Sequence, residues 1–230
     1  MLTLETNNRE GVLDVDYHKG RKTKRALRYR LNRRTREVLK AINTYRGIQV
    51  DNLLDIGTAD AFMLDILCHN LTIRTPIGLD FSADLLAKAP NKKNLNLVQA
   101  DAISLPFKGD SIDIIMAISV IGSIPEPETT IDECYRILKT NGICILTWPD
   151  PFFVRIGILA GHLEEKNNLH KFNLILLRKL FEQRHFKILD AYKFMISPIG
   201  FPYELSIERL INKMGLGCLL SNQMIIAMKC

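Results

Sequence analysis

The chain has 230 residues with 47% hydrophobic and 24% charged side chains, enough to bury one substantial core, so we expect a single domain over 1–230. Its five cysteines are scattered and odd in number. They lack the spacing of a zinc site or redox pair, and we expect no metal. The first residues lack the apolar centre of a signal peptide, and no apolar run reaches the roughly 18 residues of a membrane span. A cytoplasmic protein is expected, with peripheral attachment to a membrane left open.

Basic residues are concentrated near the beginning of the chain. Residues 19–40 contain 11 of the 31 Lys and Arg residues and one acid, Glu37, whereas the remainder has 20 basic and 24 acidic residues. Apolar residues recur at helical intervals from Arg25 to about Tyr45, which predicts an amphipathic helix within a basic segment 19–46, with one packed and one strongly basic face. The basic run Lys19–Lys40 suits an anionic membrane surface, a phosphate group or RNA. A solvated helix face is the plainer alternative.

Strands and helices alternate through a core that we place at 48–148. The pattern predicts an α/β fold with a mainly parallel sheet covered by helices on both faces. The expected strands are 51–56, 72–79, 95–99, 112–118, 143–148, 186–194 and 223–229.

Three acids follow three successive predicted strands. Asp55, Asp80 and Asp101 should therefore meet at the carboxyl edge of the sheet, where α/β folds bind ligands. Asp80 offers two adjacent acceptor oxygens that match the paired hydroxyls of a ribose. Asp101 suits the amino group of an adenine, with the N–H of Ala102 donating to the ring, and Asp55 suits an ammonium or a role in shaping the loop. The plainer alternative is that each aspartate caps a turn or a helix.

The first strand ends in a sharp turn at Gly57. A dinucleotide site has several glycines here so that a pyrophosphate can approach the backbone, but this chain has Ala59 and Ala61. A cofactor without phosphate explains these residues better. Alanine fits these positions without strain if the local backbone angles stay in ordinary regions.

The segments 53–59, 78–82, 99–107, 113–119 and 136–142 together resemble class I S-adenosylmethionine-dependent methyltransferases, in particular the small-molecule group that includes ubiquinone-biosynthesis enzymes. The resemblance covers about residues 48–148. It implies a Rossmann-like fold with seven strands, the last reversed, and S-adenosyl-L-methionine as cofactor. The cofactor-binding residues that it and the pattern of acids indicate are Asp55, Gly57, Thr58, Ala59, Asp80, Phe81, Ser82, Asp101, Ala102, Ile118 and Ser119.

Methyl transfer from a sulfonium needs an in-line nucleophile and a site without water, and needs a base only for some acceptors. His162 and His170 are the candidate bases, although a lone histidine is more often a surface or capping residue. Further polar candidates near the crevice are Ser119, Ser123, Asp150 and Glu164.

Two features bear on the methyl acceptor. Apolar residues in two insertions, 149–171 and 195–222, suggest a roof over an apolar pocket, with ordinary packing as the alternative. The basic helix indicates an anionic group. We expect a small or lipid-linked acceptor, because added RNA-binding modules and an Asp/Asn-Pro-Pro-aromatic motif are absent from the sequence. RNA remains an alternative, as does a methyltransferase-like binding protein that Ala59 and Ala61 have made inactive.

Overall fold

The computed structural model describes residues 18–20, 23–89, 95–159, 170–197 and 199–230. Its helices, numbered along the chain, are α1 (Arg25–Tyr45), α2 (Phe62–Asn70), α3 (Ala83–Leu86), α4 (Pro127–Ile137), α5 (Pro151–Leu159), α6 (Leu174–Glu182) and α7 (Glu204–Lys213). The strands are β1 (Gln49–Ile56), β2 (Thr72–Asp80), β3 (Asn96–Gln99), β4 (Ile112–Ile118), β5 (Leu138–Pro149), β6 (Phe186–Phe194) and β7 (Asn222–Lys229). Short 3-10 turns lie at Ile121–Ser123 and Gly217–Leu219.

The seven strands form one sheet in the order β3-β2-β1-β4-β5-β7-β6. Only β7 runs against its neighbours, pairing antiparallel with both β5 and β6. The predicted α/β class and the reversed last strand are therefore confirmed. In the parallel half Asp55 is level with Gly78, and Asp80 is level with Gln99. This register brings the carboxyl ends of β1, β2 and β3 to one edge.

Helices cover both faces of the sheet, which explains why the central strands are apolar at consecutive positions. Leu53 and Leu54 in β1 are both fully buried, as are Ile114 and Ile115 in β4. Alternate residues belong to two core clusters, one of which includes residues of α4 and α6, and the other residues of α1 and α2. None of the helices in the described ranges has both the length and the apolar character needed to cross a bilayer.

Helix α1 has the bounds that its sequence period predicts, but its packed face is not purely apolar. Arg33 is only 4% exposed, forms an ion pair with Glu37 one turn later, and reaches Glu208 of α7 over 2.7 Å. The side chain of Arg34 donates to Oδ1 of Asn222 at 3.0 and 3.1 Å. Part of the basic run therefore holds α1 on the domain. Lys24, Arg25, Arg28, Arg36 and Lys40 remain exposed.

Candidate cofactor site

The loop between β1 and α2 turns at Gly57 and folds back onto the end of β2. The amides of Gly57 and Thr58 donate to the carbonyl of Leu79 at 2.8 and 3.0 Å. Gly57 has φ = +73°, and a Cβ at this position would lie 2.5 Å from a methyl carbon of Val120, just beyond β4. Both the backbone angle and the approach of β4 therefore require a glycine.

The change Gly57→Ala is expected to cost about 2–3 kcal/mol of stability, from left-handed strain and the clash with Val120. Gly47→Ala is the matched control, because Gly47 has φ = +80° but a Cβ at this position would meet no other atom within 4 Å. It should show the strain alone, about 1 kcal/mol. Urea denaturation of both variants measures the difference. Equal losses would show that Val120 can move aside.

Ala59 and Ala61 do not have ordinary backbone angles, so the condition for alanines without strain is not met. Their φ values are 54° and 55°, in the left-handed region where an alanine costs about 1–2 kcal/mol relative to an ordinary conformation. The strain is held by the contacts of the loop, since the amide of Ala59 bonds to Asp80 and that of Ala61 to the carbonyl of Thr58. Helix α2 accordingly begins at Phe62, directly after the left-handed Ala61.

Asp80 is fixed between two backbone amides at the end of β2. Its Oδ2 accepts from the N–H of Ala59 at 2.7 Å and its Oδ1 from the N–H of Ser82 at 2.9 Å. Burial raises the pKa of Asp80, and the amides of Ser82, Ala59 and Phe81 oppose that rise. A carboxylate offers about four lone-pair sites, so each oxygen can still accept a ligand hydroxyl. The amides of residues 57–59 are already bonded, which disfavours a pyrophosphate.

Asp55 lies beneath the loop and is 3% exposed. The hydroxyl of Thr58 donates to its Oδ2 at 2.7 Å. Burial raises the pKa of Asp55 to about 7, with the charge of Asp80 adding to the rise and the Thr58 bond opposing it. The carboxyl group is therefore poised to lose its proton near neutral pH when a cation binds close by.

The third predicted acid, Asp101, follows β3 at the same edge. The amide of Ala100 donates to the carbonyl of Asp80 at 3.2 Å, and Asp101 accepts from the amide of Ile103 at 3.3 Å. Ala102 packs against the core. On the other side, Ser82 caps the short α3 by accepting from the amide of Leu85 at 3.3 Å, and the carbonyl of Phe81 accepts from Gln99 at 3.2 Å. The acids thus follow neighbouring strand ends, as the sequence predicts.

A pair that sequence reasoning missed lies above the same loop. Nδ1 of His18 is 2.5 Å from Oδ2 of Asp60, and the exposures of the two side chains are 14% and 5%. The pair ties a segment before α1 to the start of α2. The position of Asp60 beside the glycine turn is a signal that sequence reasoning could have used. His18 has no such local signal, because 42 residues separate it from Asp60.

The end of β4 supplies the other wall of the site. Ser119 follows Ile118 with φ = 60°, and its amide donates to the carbonyl of Thr147 in β5 at 2.8 Å. Within the described ranges, the side-chain oxygens of Ser119 and Thr147 are buried and have no hydrogen-bond partner. Two unsatisfied hydroxyls at the strand ends fit a ligand that carries polar groups.

The structure says less about the two candidate bases, His162 and His170, than about the three acids. His170 has its Nε2 3.1 Å from the carbonyl of Pro125 and stacks on Phe172, so Nε2 is the donor and Nδ1 remains to accept a proton. His162 and Glu164 lie outside the described residues. Asp150 accepts from the amide of Phe152 at 3.0 Å and pairs with Lys193 at 2.6 Å. A chemical role for either histidine stays a prediction.

The arrangement fits a cofactor that has a ribose and a positive charge but no phosphate. The carboxyl groups of Asp55, Asp60 and Asp80 surround one loop, where they favour a cation and repel a phosphate. The seven-stranded sheet with its reversed last strand is that of the Rossmann-like methyltransferase fold. Residues 54–146 match a family model described as a methyltransferase domain, and the chain is similar to S-adenosylmethionine-dependent methyltransferases.

The curated relatives include enzymes named for lipid and quinone substrates. The chain is 27% identical over 101 residues to phosphatidylethanolamine N-methyltransferase of Cereibacter sphaeroides, covering 41% of this chain and 48% of that protein. It is 28% identical over 181 residues to demethylmenaquinone methyltransferase of Bacteroides fragilis, covering 70% and 72%. The chain spans about half the length of the first curated relatives that it matches.

A solved structure supports the fold over nearly the whole chain. A chain from the complex between the Haloferax volcanii Trm112 methyltransferase activator and a methyltransferase superimposes with a TM-score of 0.71. The sequence identity is 17%, and the match covers 95% of this chain and 99% of that one. At this identity the likeness concerns the fold alone.

Proposed function

We propose that the protein transfers a methyl group from S-adenosyl-L-methionine to a small or lipid-linked acceptor with an apolar body and an anionic group. The observation that carries the proposal is the placement of Asp80, whose two oxygens are held by the amides of Ala59 and Ser82 beside the acid-lined loop. A carboxylate fixed in this way can accept both hydroxyls of a ribose without first being reoriented.

Each wall of the site has a role in holding the cofactor, which when bound supplies an electrophilic methyl group. Asp80 binds the ribose, with Phe81 and Ser82 completing that end. Asp101 and Ala102 bind the adenine, as the family resemblance implies. The loop at Gly57, Thr58 and Ala59 shapes the sulfonium end above Asp55, and Ile118 and Ser119 form the opposite wall. His170, through Nδ1, or His162 accepts a proton if the acceptor is a hydroxyl or an acidic carbon.

Three observations support the class of acceptor. The two relatives above are named for a phospholipid and a quinone precursor. Exposed apolar residues lie in both predicted roof insertions, among them Phe152, Leu159 and Leu210. Arg33 and Arg34 bind acids and amides of the domain itself, which leaves less of the basic run for an RNA backbone.

Cofactor binding tests the first half of the proposal. Isothermal calorimetry is expected to show S-adenosylmethionine binding, and Asp80→Ala should weaken it by about 1.5–3 kcal/mol through lost charge-assisted hydrogen bonds. Asp51→Ala is the control, because Asp51 is exposed at the opposite end of β1. No heat with wild-type protein at millimolar cofactor would reject methyl transfer and favour a binding protein. Unchanged affinity in Asp80→Ala would show that Asp80 does not hold the ribose.

The acceptor class needs a separate experiment. The protein is incubated with a cell extract and cofactor labelled in its methyl group, and the label is then followed into organic-phase lipids, aqueous metabolites and RNA. Label in the organic phase, or in small anionic metabolites, is expected. Label that enters only RNA would contradict the proposed acceptor.

A further inference from the structure

Residues 199–219, which include α7, present a concentrated apolar surface to solvent. We name this surface the outer face of α7. It contains nine of the sixteen exposed large apolar side chains in the described ranges. Tyr203 is 82% exposed, and Leu210 and Met214, within and just after the helix, are 57% and 62% exposed. A stable fold gains nothing from leaving so many apolar groups in water, so such a patch indicates an interaction surface.

Two acidic residues of helix α7 face the protein and its apolar residues face solvent, which is the reverse of the usual arrangement on a surface helix. Glu204 and Glu208 are 4% and 7% exposed. Glu204 accepts the hydroxyl of Tyr29 and the amides of Ile196 and Ser197, the latter two at 3.0 and 3.1 Å. Glu208 binds Arg33 at 2.7 Å and the amide of Met195 at 3.0 Å. These contacts fix the rotation of the helix, so its apolar side stays exposed.

The charges that remain on this surface have one sign. Within 199–219 the only exposed charged residues are Arg209 and Lys213. The exposed Arg25 and Arg28 of α1 lie within about one turn of Tyr29, the residue that contacts Glu204. The surface therefore combines apolar side chains with basic ones and carries no exposed carboxylate.

We propose that the outer face of α7 docks the protein on an anionic lipid membrane. A helix that lies on such a surface needs two features. Its apolar side chains enter the interfacial layer, and its basic side chains contact the lipid phosphates. A second copy of the chain in a two-fold contact would bring like basic charges together. Seven of the nine exposed apolar side chains are not aromatic and do not stack on RNA bases as aromatic ones do. The inference rests on the proposed function and deepens it, because a lipid-linked acceptor is met at this surface.

Vesicle sedimentation without cofactor tests the docking. Vesicles of about 30% phosphatidylglycerol in phosphatidylcholine should bind the protein, and pure phosphatidylcholine should bind it at least roughly tenfold more weakly. Leu210→Glu should lower binding to the anionic vesicles at least roughly tenfold, and Arg209→Ser and Lys213→Ser roughly fivefold each. The matched control is Ile48→Glu, which changes a residue of similar exposure, 61%, before β1 and should bind within about twofold of wild type.

Three results would overturn the proposal. One is the absence of binding to the anionic vesicles, and another is an equal loss in Ile48→Glu. The third is a wild-type dimer in light scattering that Leu210→Glu abolishes, which would assign the surface to a second copy. Calorimetry with cofactor in the absence of lipid separates failure of this inference from failure of the proposed methyl transfer.

Discussion

Replacing Arg33 with alanine is expected to lower the free energy of unfolding by about 3–5 kcal/mol, the usual cost of removing one member of a buried ion-pair network. The guanidinium is 4% exposed and lies between Glu37 and Glu208, while the ring of Phe194 lies beneath it at 5.5 Å. The change leaves two buried carboxylates without their shared cation. It also loosens α7, since Glu208 holds both Arg33 and the amide of Met195.

The same helix supplies the control. Arg36→Ala removes an identical side chain from an exposed position of α1 and should change stability by less than about 0.5 kcal/mol. The triple variant Arg33→Met, Glu37→Leu, Glu208→Leu should recover only part of the loss. Apolar residues can replace the buried charges, but the amide of Met195 and the hydroxyl of Tyr192 then lose their carboxylate acceptors. Urea denaturation of the three proteins compares them directly. A loss below about 1 kcal/mol in Arg33→Ala would show that water or another cation compensates the two glutamates.

The contrast between Arg33 and Arg36 also shows the limit of sequence reasoning. The bounds of α1 follow from a local period of about 3.6 residues, and the sheet follows from short apolar runs. The partner of Arg33, however, is Glu208, which lies 175 residues further along the chain. Neither the sequence around Arg33 nor that around Glu208 carries a local signal for such a pair. For this reason the sequence predicts one uniformly basic face for the segment, whereas part of it belongs to the interior.

In the candidate cofactor site, too, the sequence predicts one part of the geometry and misses another. The aspartates at the ends of β1, β2 and β3 are brought together by strand register, which alternating strands and helices predict. The left-handed angles of Ala59 and Ala61 depend on the bonds of the loop to Leu79 and Asp80, and an alanine carries no local preference for them. The pair between His18 and Asp60 likewise joins distant segments. Local preference is informative at the strand ends and fails where tertiary contacts overrule it.

Asp55→Asn is expected to stabilise the protein while weakening its cofactor binding. The pKa of Asp55 is raised from an ordinary value near 4 to about 7, because its carboxyl group is buried. Between these values the folded state holds a proton that the unfolded state has lost, so the wild type loses stability as the pH rises from about 4 to about 7. Asparagine does not ionise. The variant should therefore equal the wild type near pH 4 and exceed it by about 2–4 kcal/mol at about pH 8.

Asp113→Asn serves as a matched control with the opposite sign. Asp113 is also a buried aspartate, but its Oδ2 pairs with Lys139 at 2.8 Å and accepts the amide of Asn52 at 3.0 Å. Removing its charge should lower stability at about pH 8, because the partner cation remains. Thermal unfolding at about pH 5 and pH 8 measures both variants. A pH-independent effect of Asp55→Asn would show that Asp55 is not protonated in the folded state at the lower pH.

The same variant decides what Asp55 does for the cofactor. If the ionised carboxylate attracts the cationic end of S-adenosylmethionine, the wild-type affinity rises with pH up to about 7 and binding releases a proton. The affinity of Asp55→Asn should then be at least roughly tenfold lower at about pH 8 and independent of pH. Calorimetry at about pH 6, where the free protein still holds this proton, detects its release in two buffers of different ionisation enthalpy. Equal affinities and no released proton would mean that Asp55 has no electrostatic role in cofactor binding. Asp55 would then only shape the loop through its hydrogen bond to Thr58.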